Sequence, residues 1–107
     1  MKRQPAHILL ERHLKELKME FTPEFKFHAL RKWRLDYFLN ESAVGIEIMG
    51  GFYRGKGGHS SINGLQRDYD KANAATMQGI RLLHFSTADV LRGRAKAFLA
   101  EHLKAKE

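Results

Sequence analysis

Two acidic residues stand inside short segments of the chain that otherwise alternate apolar and polar side chains. Asp36 lies in WRLDYFL (33–39) and Glu47 in AVGIEIM (43–49), and both segments have the period of a β-strand. Acidic residues are depleted from strands, so their presence there needs a reason. A four-residue turn at Asn40–Ala43 makes the two segments an antiparallel hairpin in which Asp36 stands opposite Glu47.

Directly opposed carboxylates repel, and each resists ionisation beside the other. We expect them to share the sheet face that points away from the core, an arrangement that calls for a cation. Mg²⁺ takes oxygen ligands and is held by one or two carboxylates with water and substrate phosphate. In phosphodiester cleavage such an ion polarises the phosphoryl oxygen and lowers the pKa of the attacking water. The alternative is surface salt bridges, with Asp36 paired to Arg34 or Lys32 and Glu47 to a neighbouring cation.

The charge of the chain favours a polyanionic partner. Nineteen Lys and Arg against twelve Asp and Glu give a formal charge of +7 over 107 residues. FKFHALRKWR (25–34) and YRGKGGHSSINGLQRDYDK (53–71) place cations beside aromatic side chains and glycines, which suits phosphate contact and base stacking. The same interleaving also occurs in ordinary half-buried strands. Cysteine is absent, which excludes disulfides and thiolate metal sites.

The length of the chain predicts one domain, residues 1–107, large enough for its own core. The early apolar run is interrupted at once by Glu11, Arg12 and Lys15, unlike a signal peptide or a membrane span. We therefore expect a soluble cytoplasmic protein with no membrane partner.

Hydrophobic periodicity predicts helix, three strands, helix, strand, helix. The expected elements are a helix over 6–19, an edge strand over 25–30, strands over 33–39 and 43–49, a helix over 65–78, a strand over 80–85 and a helix from 86 onward. Gly79 is expected just past the second helix, and Ser86 with Asp89 resembles a capping box. Leu65 and Tyr69 share one side of the second helix, and Leu91, Phe98 and Leu99 are expected to face the core. The fold class is α/β, an α+β mixed sheet.

Four segments, FKFHALRKWRLDYFL, VGIEIMGG, GKGGHSSINGLQRDYDKANAA and GIRLLHF, follow one another between residues 25 and 85. In combination they resemble the PD-(D/E)XK nuclease superfamily, and most of all its small phage and bacterial branch related to the very-short-patch repair endonucleases. In that branch an Asp follows a WR strand, an acidic residue precedes Gly-Gly, and a K-x-N helix leads to the last strand. The resemblance implies the αβββαβ(α) restriction-endonuclease-like core and a metal-dependent DNA endonuclease.

By this resemblance Asp36 is the metal ligand of the first strand and Glu47 the second acidic ligand, binding Mg²⁺ or Mn²⁺. The superfamily usually has Lys two residues further on, where this chain has Met49. A thioether cannot stabilise a developing negative charge. The cation then comes from elsewhere, with Lys71 or Lys56 as candidates, or the protein is a non-catalytic nucleic-acid binder that retains the nuclease fold.

Other residues complete the expected site. His59 is a candidate general acid or base, and either Glu11 or His7 in the first helix supports the metal. Phe52 and Tyr53 stack on bases, wedge into a distorted duplex, or cover the edge of the sheet.

The expected contacts to the nucleic-acid backbone are all cationic: Arg31, Lys32, Arg34, Arg54, Lys56 and Arg67. A chain this short offers little room for sequence readout, so we expect recognition of DNA shape, at a junction, branch or mismatch, in repair or recombination. Resolution of a four-way (Holliday) junction requires two active sites and hence a homodimer. RNA is the alternative substrate that charge and aromatic content do not separate from DNA.

Overall fold

The structure is a computed structural model that describes residues 4–50 and 62–103. Its elements are α1 (Pro5–Glu16), β1 (Phe21–Lys26), β2 (Arg34–Leu39), β3 (Val44–Met49), α2 (Ile62–Met77), β4 (Arg81–Ser86), α3 (Thr87–Leu91) and α4 (Arg94–His102). This order confirms the predicted mixed α/β class, with the last helix in two pieces. In the described ranges, no helix has the length and apolar character that a membrane crossing requires.

The four strands form one mixed sheet in the order β1-β2-β3-β4. β2 pairs antiparallel with both β1 and β3. β3 and β4 are parallel and are connected through α2. Leu39 pairs with Val44 and Tyr37 with Ile46, which is the register that the sequence predicts. The backbone N–H of Ala43 donates to the carbonyl of Leu39 at 3.0 Å and closes the predicted turn.

Both faces of the sheet are covered, because successive residues of β3 enter two different cores. Val44 and Ile46 lie in a core shared with α1, α3 and α4. Gly45 points to the opposite face, where a Cβ would lie 2.6 Å from Leu35 Cδ1. That face carries a second core with Ala75 of α2. The expectation of one sheet face away from the core is therefore wrong.

β1 begins earlier than the sequence suggests, at Phe21 rather than at residue 25, and ends at Lys26. Pro23 lies inside this strand. β1 is an edge strand, and an edge strand tolerates proline because one side of its backbone has no partner. Residues 27–33, part of which was expected to be strand, connect β1 to β2.

The β1–β2 ladder is irregular at Glu24. Pro23 pairs with Tyr37 and Phe25 with Leu35, but no pair forms between them, and Glu24 has a positive φ of 50°. Leu35 lies in the second core and Tyr37 in the first. The alternation over residues 33–39 predicts that these two side chains share one face of the sheet, and that prediction is wrong.

α2 buries small residues rather than its large apolar ones. Gly64 and Ala75 are buried, whereas Leu65 and Tyr69, which the sequence places on one side of the helix, are 41% and 57% exposed. Lys71 lies seven residues after Gly64 and four before Ala75, so it is on the same side of the helix. The close approach of a small-residue face turns this lysine toward the sheet.

The C-terminal helices begin with the predicted cap. The Ser86 hydroxyl accepts from the N–H of Asp89, whose carboxylate accepts from the N–H of Ser86, each at 3.0 Å. Gly93, with φ of 80°, then separates α3 from α4. The break changes the helical phase, so Leu99 is buried as expected but Leu91 and Phe98 are 52% and 39% exposed.

Candidate metal and phosphate site

The carboxylate of Asp36 lies against strand β3 beside Glu47. Its Oδ2 accepts the backbone N–H of Ile48 at 2.7 Å. The backbone ladder between β2 and β3 runs from Leu39↔Val44 to Tyr37↔Ile46, so this side-chain bond follows the last backbone pair. Asp36 therefore reaches the Glu47–Ile48 peptide at the end of the hairpin, as the predicted register requires.

Glu47 is bound by the lysine that the sequence favoured as the source of the missing cation. Lys71 Nζ donates to Glu47 Oε2 at 2.7 Å, and the two side chains are only 19% and 17% exposed. A hydrogen bond this short between two charged groups is among the stronger polar contacts in proteins. The small-residue face of α2 brings Lys71 to this position.

The salt-bridge alternative applies to one of the two acids. Arg34, proposed as a partner of Asp36, lies 3.3 Å from Glu24 instead. Among the described residues, the imidazole of His7 approaches Asp36, with its Nε2 4.0 Å from Oδ2. Glu47 has its lysine, whereas Asp36 is bound by a backbone N–H and lies near an imidazole.

Tyr37 organises the α1 side of the site, a role that the sequence did not reveal. Its ring is buried in the core, as predicted, but its hydroxyl contacts Glu11 Oε2 at 2.7 Å and the carbonyl oxygen of His7 at 3.2 Å. The only sequence signal was a tyrosine directly after Asp36. His7 Nδ1 is buried and has no hydrogen-bond partner in the described ranges.

A cavity of about 670 Å³ opens between α1 and the strands. Its lining includes His7, Glu11, Glu24, Arg34, Asp36 and Tyr37. Glu47 is held from the other side of the sheet, by α2. The expectation that both acids share one uncovered face is thus corrected: α1 and α2 approach them from opposite faces, and the Glu47–Ile48 peptide lies between them.

The donor set fits a divalent ion that prefers oxygen. Ile48 binds Oδ2 of Asp36 and Lys71 binds Oε2 of Glu47, so the second oxygen of each carboxylate has no hydrogen-bond donor among the described residues. No group of three or more His, Asp or Glu side chains suited to a metal occurs within residues 4–50 and 62–103. Two carboxylates suffice for Mg²⁺, which completes its shell with water and phosphate.

Four of the cations expected to contact the nucleic-acid backbone lie within the described ranges. Arg31, Lys32, Arg34 and Arg67 are all exposed, and the Arg31 guanidinium lies 5.1 Å from the centre of the Trp33 ring. The other predicted site residues lie outside the described ranges: Phe52, Tyr53, Arg54, Lys56 and His59. Arg31 and Lys32 lie in the loop from β1 to β2 and Arg34 begins β2, so all three are close to Asp36 in the chain.

Comparison with known proteins identifies a shared fold. No protein-family profile matches the chain, and no curated protein matches it in sequence. The solved structure named Homing Endonuclease I-Bth0305I Catalytic Domain is similar, with a TM-score of 0.61 over 95% of this chain and 100% of that chain. The two sequences are 16% identical. This chain therefore has the fold of that endonuclease domain.

Proposed function

We propose that this protein is a metal-dependent endonuclease that hydrolyses phosphodiester bonds in DNA. The observation that carries the proposal is the pairing of Lys71 with Glu47 at the strand end that Asp36 also reaches. The fold shared with an endonuclease catalytic domain and the +7 charge support the same activity.

Asp36 and Glu47 would hold Mg²⁺ or Mn²⁺ through the carboxylate oxygens that lack a donor. When bound, the ion polarises the phosphoryl oxygen and lowers the pKa of a water molecule at the scissile phosphate. The chain keeps these oxygens in place, since the Ile48 N–H fixes one carboxylate and Lys71 the other. Such fixed groups need little reorganisation when charge develops.

Lys71 would supply the positive charge that the strand itself lacks. Met49 pairs with Ser86 of β4 and has no charge to offer. From α2, the Lys71 ammonium reaches Glu47 and would also steady the negative charge that builds on the phosphate. We assign proton transfer to His59, with His7 as the histidine already next to Asp36.

We extend the proposal to branched or mismatched DNA in repair or recombination, in a bacterial or phage-infected cell. Exposed Arg31, Lys32 and Arg34 would hold phosphates near the cavity, and such contacts position a duplex without reading its sequence. A four-way junction would require two copies of the site, and therefore a homodimer.

Plasmid nicking in Mg²⁺ tests the activity. We expect Asp36→Asn to reduce nicking of supercoiled DNA at least about 100-fold, because a fixed ligand and its charge are lost. Glu16→Gln is the matched control, since it removes a carboxylate from another lysine ion pair and should leave nicking unchanged. Equal activity of wild type and Asp36→Asn would remove the catalytic assignment.

A second function is supported by the ion pair itself, because Glu47 is already neutralised by Lys71 without a metal. A protein in which that pair is purely structural would bind DNA and cleave nothing. Tight binding to DNA together with no nicking in either Mg²⁺ or Mn²⁺ identifies this case. Competition between DNA and RNA of equal length establishes which polymer is the substrate.

A further inference from the structure

The loop between β1 and β2, residues 27–33, presents an apolar side chain at its tip. Leu30 is 89% exposed, more than the other large apolar residues described. A single exposed leucine is ordinary on a protein surface. The residues that surround Leu30 distinguish it from an ordinary exposed leucine.

A histidine side chain holds the tip of the loop in shape. His28 Nδ1 accepts the backbone N–H groups of Leu30 at 3.1 Å and Arg31 at 3.0 Å. Asn and Asp side chains form the same bonds to residues two and three positions ahead in tight turns. Leu30 therefore lies in a turn in which two backbone N–H groups are hydrogen-bonded to the His28 side chain.

Aromatic rings anchor this turn to the second core. The His28 ring meets Trp33 edge to face at 5.1 Å, and Trp33 stacks against buried Phe27 with ring centres 6.3 Å apart. The Arg31 guanidinium lies over the same Trp33 ring. The turn is thus held by hydrogen bonds and ring contacts, while the Leu30 side chain remains exposed to solvent.

The surroundings of Leu30 are cationic. Arg31 and Lys32 follow it directly and are exposed, and Arg34 lines the cavity that contains Asp36. Leu30 and Asp36 are six positions apart in the chain, which limits the distance between them to about 20 Å. That is on the order of six base-pair steps of a duplex at roughly 3.4 Å each.

We propose that the β1–β2 loop is a wedge for duplex DNA. Leu30 enters between base pairs at a weakly stacked step, such as a mismatch, while Arg31 and Lys32 hold the flanking phosphates. Apolar side chains flanked by cations are used in this way by proteins that kink DNA. An apolar protein partner would need a wider apolar surface than one leucine between alanine and arginine. The inference rests on the proposed function for its DNA partner.

Fluorescence of 2-aminopurine placed beside a mismatch tests the wedge, because the base brightens when it is unstacked. The full chain binds the duplex in EDTA, so cleavage plays no part. We expect wild type to raise the fluorescence. Leu30→Ala should abolish the rise and weaken binding about tenfold, since a leucine side chain is no longer buried. The salt dependence of DNA binding by Leu30→Ala should equal that of wild type, because the phosphate contacts remain.

Met77→Ala is the matched control, because Met77 is 85% exposed at the end of α2 and its neighbours in the sequence, Thr76 and Gln78, are uncharged. It should keep both the fluorescence rise and the affinity. His28→Ala should lose the rise, whereas His28→Asn should restore it, because asparagine can accept the same two N–H groups. This rescue separates a positioned wedge from a loop that is merely apolar.

A fluorescence rise that persists in Leu30→Ala, or binding by wild type with no rise, would overturn the wedge. Absence of binding to any DNA duplex would overturn both the wedge and the DNA substrate. Binding with the expected rise but no plasmid nicking in Mg²⁺ would establish the wedge and remove the nuclease.

Discussion

Two glutamate–lysine pairs in this protein have the same N–O distance of 2.7 Å and different surroundings. Glu16 and Lys96 join α1 to α4, with side chains 48% and 37% exposed. Glu47 and Lys71 join β3 to α2, with side chains 17% and 19% exposed. In the second pair, Glu47 directly precedes the residue whose N–H Asp36 binds.

The comparison shows that distance alone does not identify a functional ion pair. Water and salt screen the exposed pair, and such pairs contribute little to stability. The half-buried pair places opposite charges in a less polar setting, where each has a stronger field. The Glu47 pair differs from the Glu16 pair in its burial and in the Asp36 carboxylate, which binds the peptide N–H that follows Glu47.

The largest expected difference between the pairs is in activity. Lys71→Met should slow plasmid nicking by about 100-fold or more, because a fixed charge near the phosphate is lost. Lys96→Met removes the same charge from the exposed pair and should nick at the wild-type rate. Equal rates for the two variants would make the Glu47 pair as structural as the Glu16 pair.

Binding of Mg²⁺ should change in the opposite direction. Lys71→Met should bind Mg²⁺ about tenfold more tightly than wild type, because it frees Glu47 Oε2 and removes a competing positive charge. Isothermal titration calorimetry without DNA measures this, with Lys96→Met as the unchanged control. Asp36→Asn should lose binding. Weaker binding by Lys71→Met would mean that the lysine assists the metal rather than competes with it.

Stability should separate the pairs less strongly. A double-mutant cycle of Glu47→Gln and Lys71→Met should give a coupling free energy of about 1–3 kcal/mol in urea unfolding. The corresponding cycle for Glu16 and Lys96 should give a smaller coupling, since both side chains are more exposed. Coupling of equal size would contradict the role that we give to burial.

The smallest effect is on acid stability. The hydrogen bond from Lys96 lowers the pKa of Glu16 below its ordinary value of 4.5. The ionised form is favoured by folding, so its contribution is complete above pH 4.5 and is lost as the pH falls through the lower folded value. Glu16→Gln should therefore show a shallower fall of melting temperature below pH 4.5 than wild type.

A second carboxyl group with a lowered pKa provides the internal reference for that experiment. The backbone N–H of Ser86 lowers the pKa of Asp89, and Glu16→Gln leaves this capping box intact. Wild type and Glu16→Gln should therefore both lose the stability that depends on the ionised Asp89 carboxylate as the pH falls. Identical melting curves from pH 5 to pH 3 would show that Lys96 contributes nothing to the folded charge state of Glu16.

Local patterns in the sequence predicted the parts of the fold that are made locally. The hairpin register followed from the four-residue turn at Asn40–Ala43, and Gly79 and the Ser86–Asp89 cap were also found where expected. Each depends on residues within a few positions of one another. Lys71, which the resemblance and the uncharged Met49 made a candidate source of the missing cation, donates to Glu47, and its catalytic role stays a prediction.

The errors came from packing over long distances. Strict alternation failed at Leu35 and Tyr37, which lie in two different cores although they are two positions apart in one strand. Large apolar residues did not mark the packed side of α2, where Gly64 and Ala75 allow the helix to approach the sheet. These outcomes depend on which surfaces meet, and no short segment contains that information.

The amino-acid sequence by itself determined the order of helices and strands, the pairing of β2 with β3, and the two acids on neighbouring strands. Turn chemistry and side-chain period act within a few residues, so they can be read directly. Only the tertiary structure decided that α1 holds Asp36 from one face and α2 holds Glu47 from the other. That result follows from covering both faces of the sheet, since each core recruits helices distant in the chain.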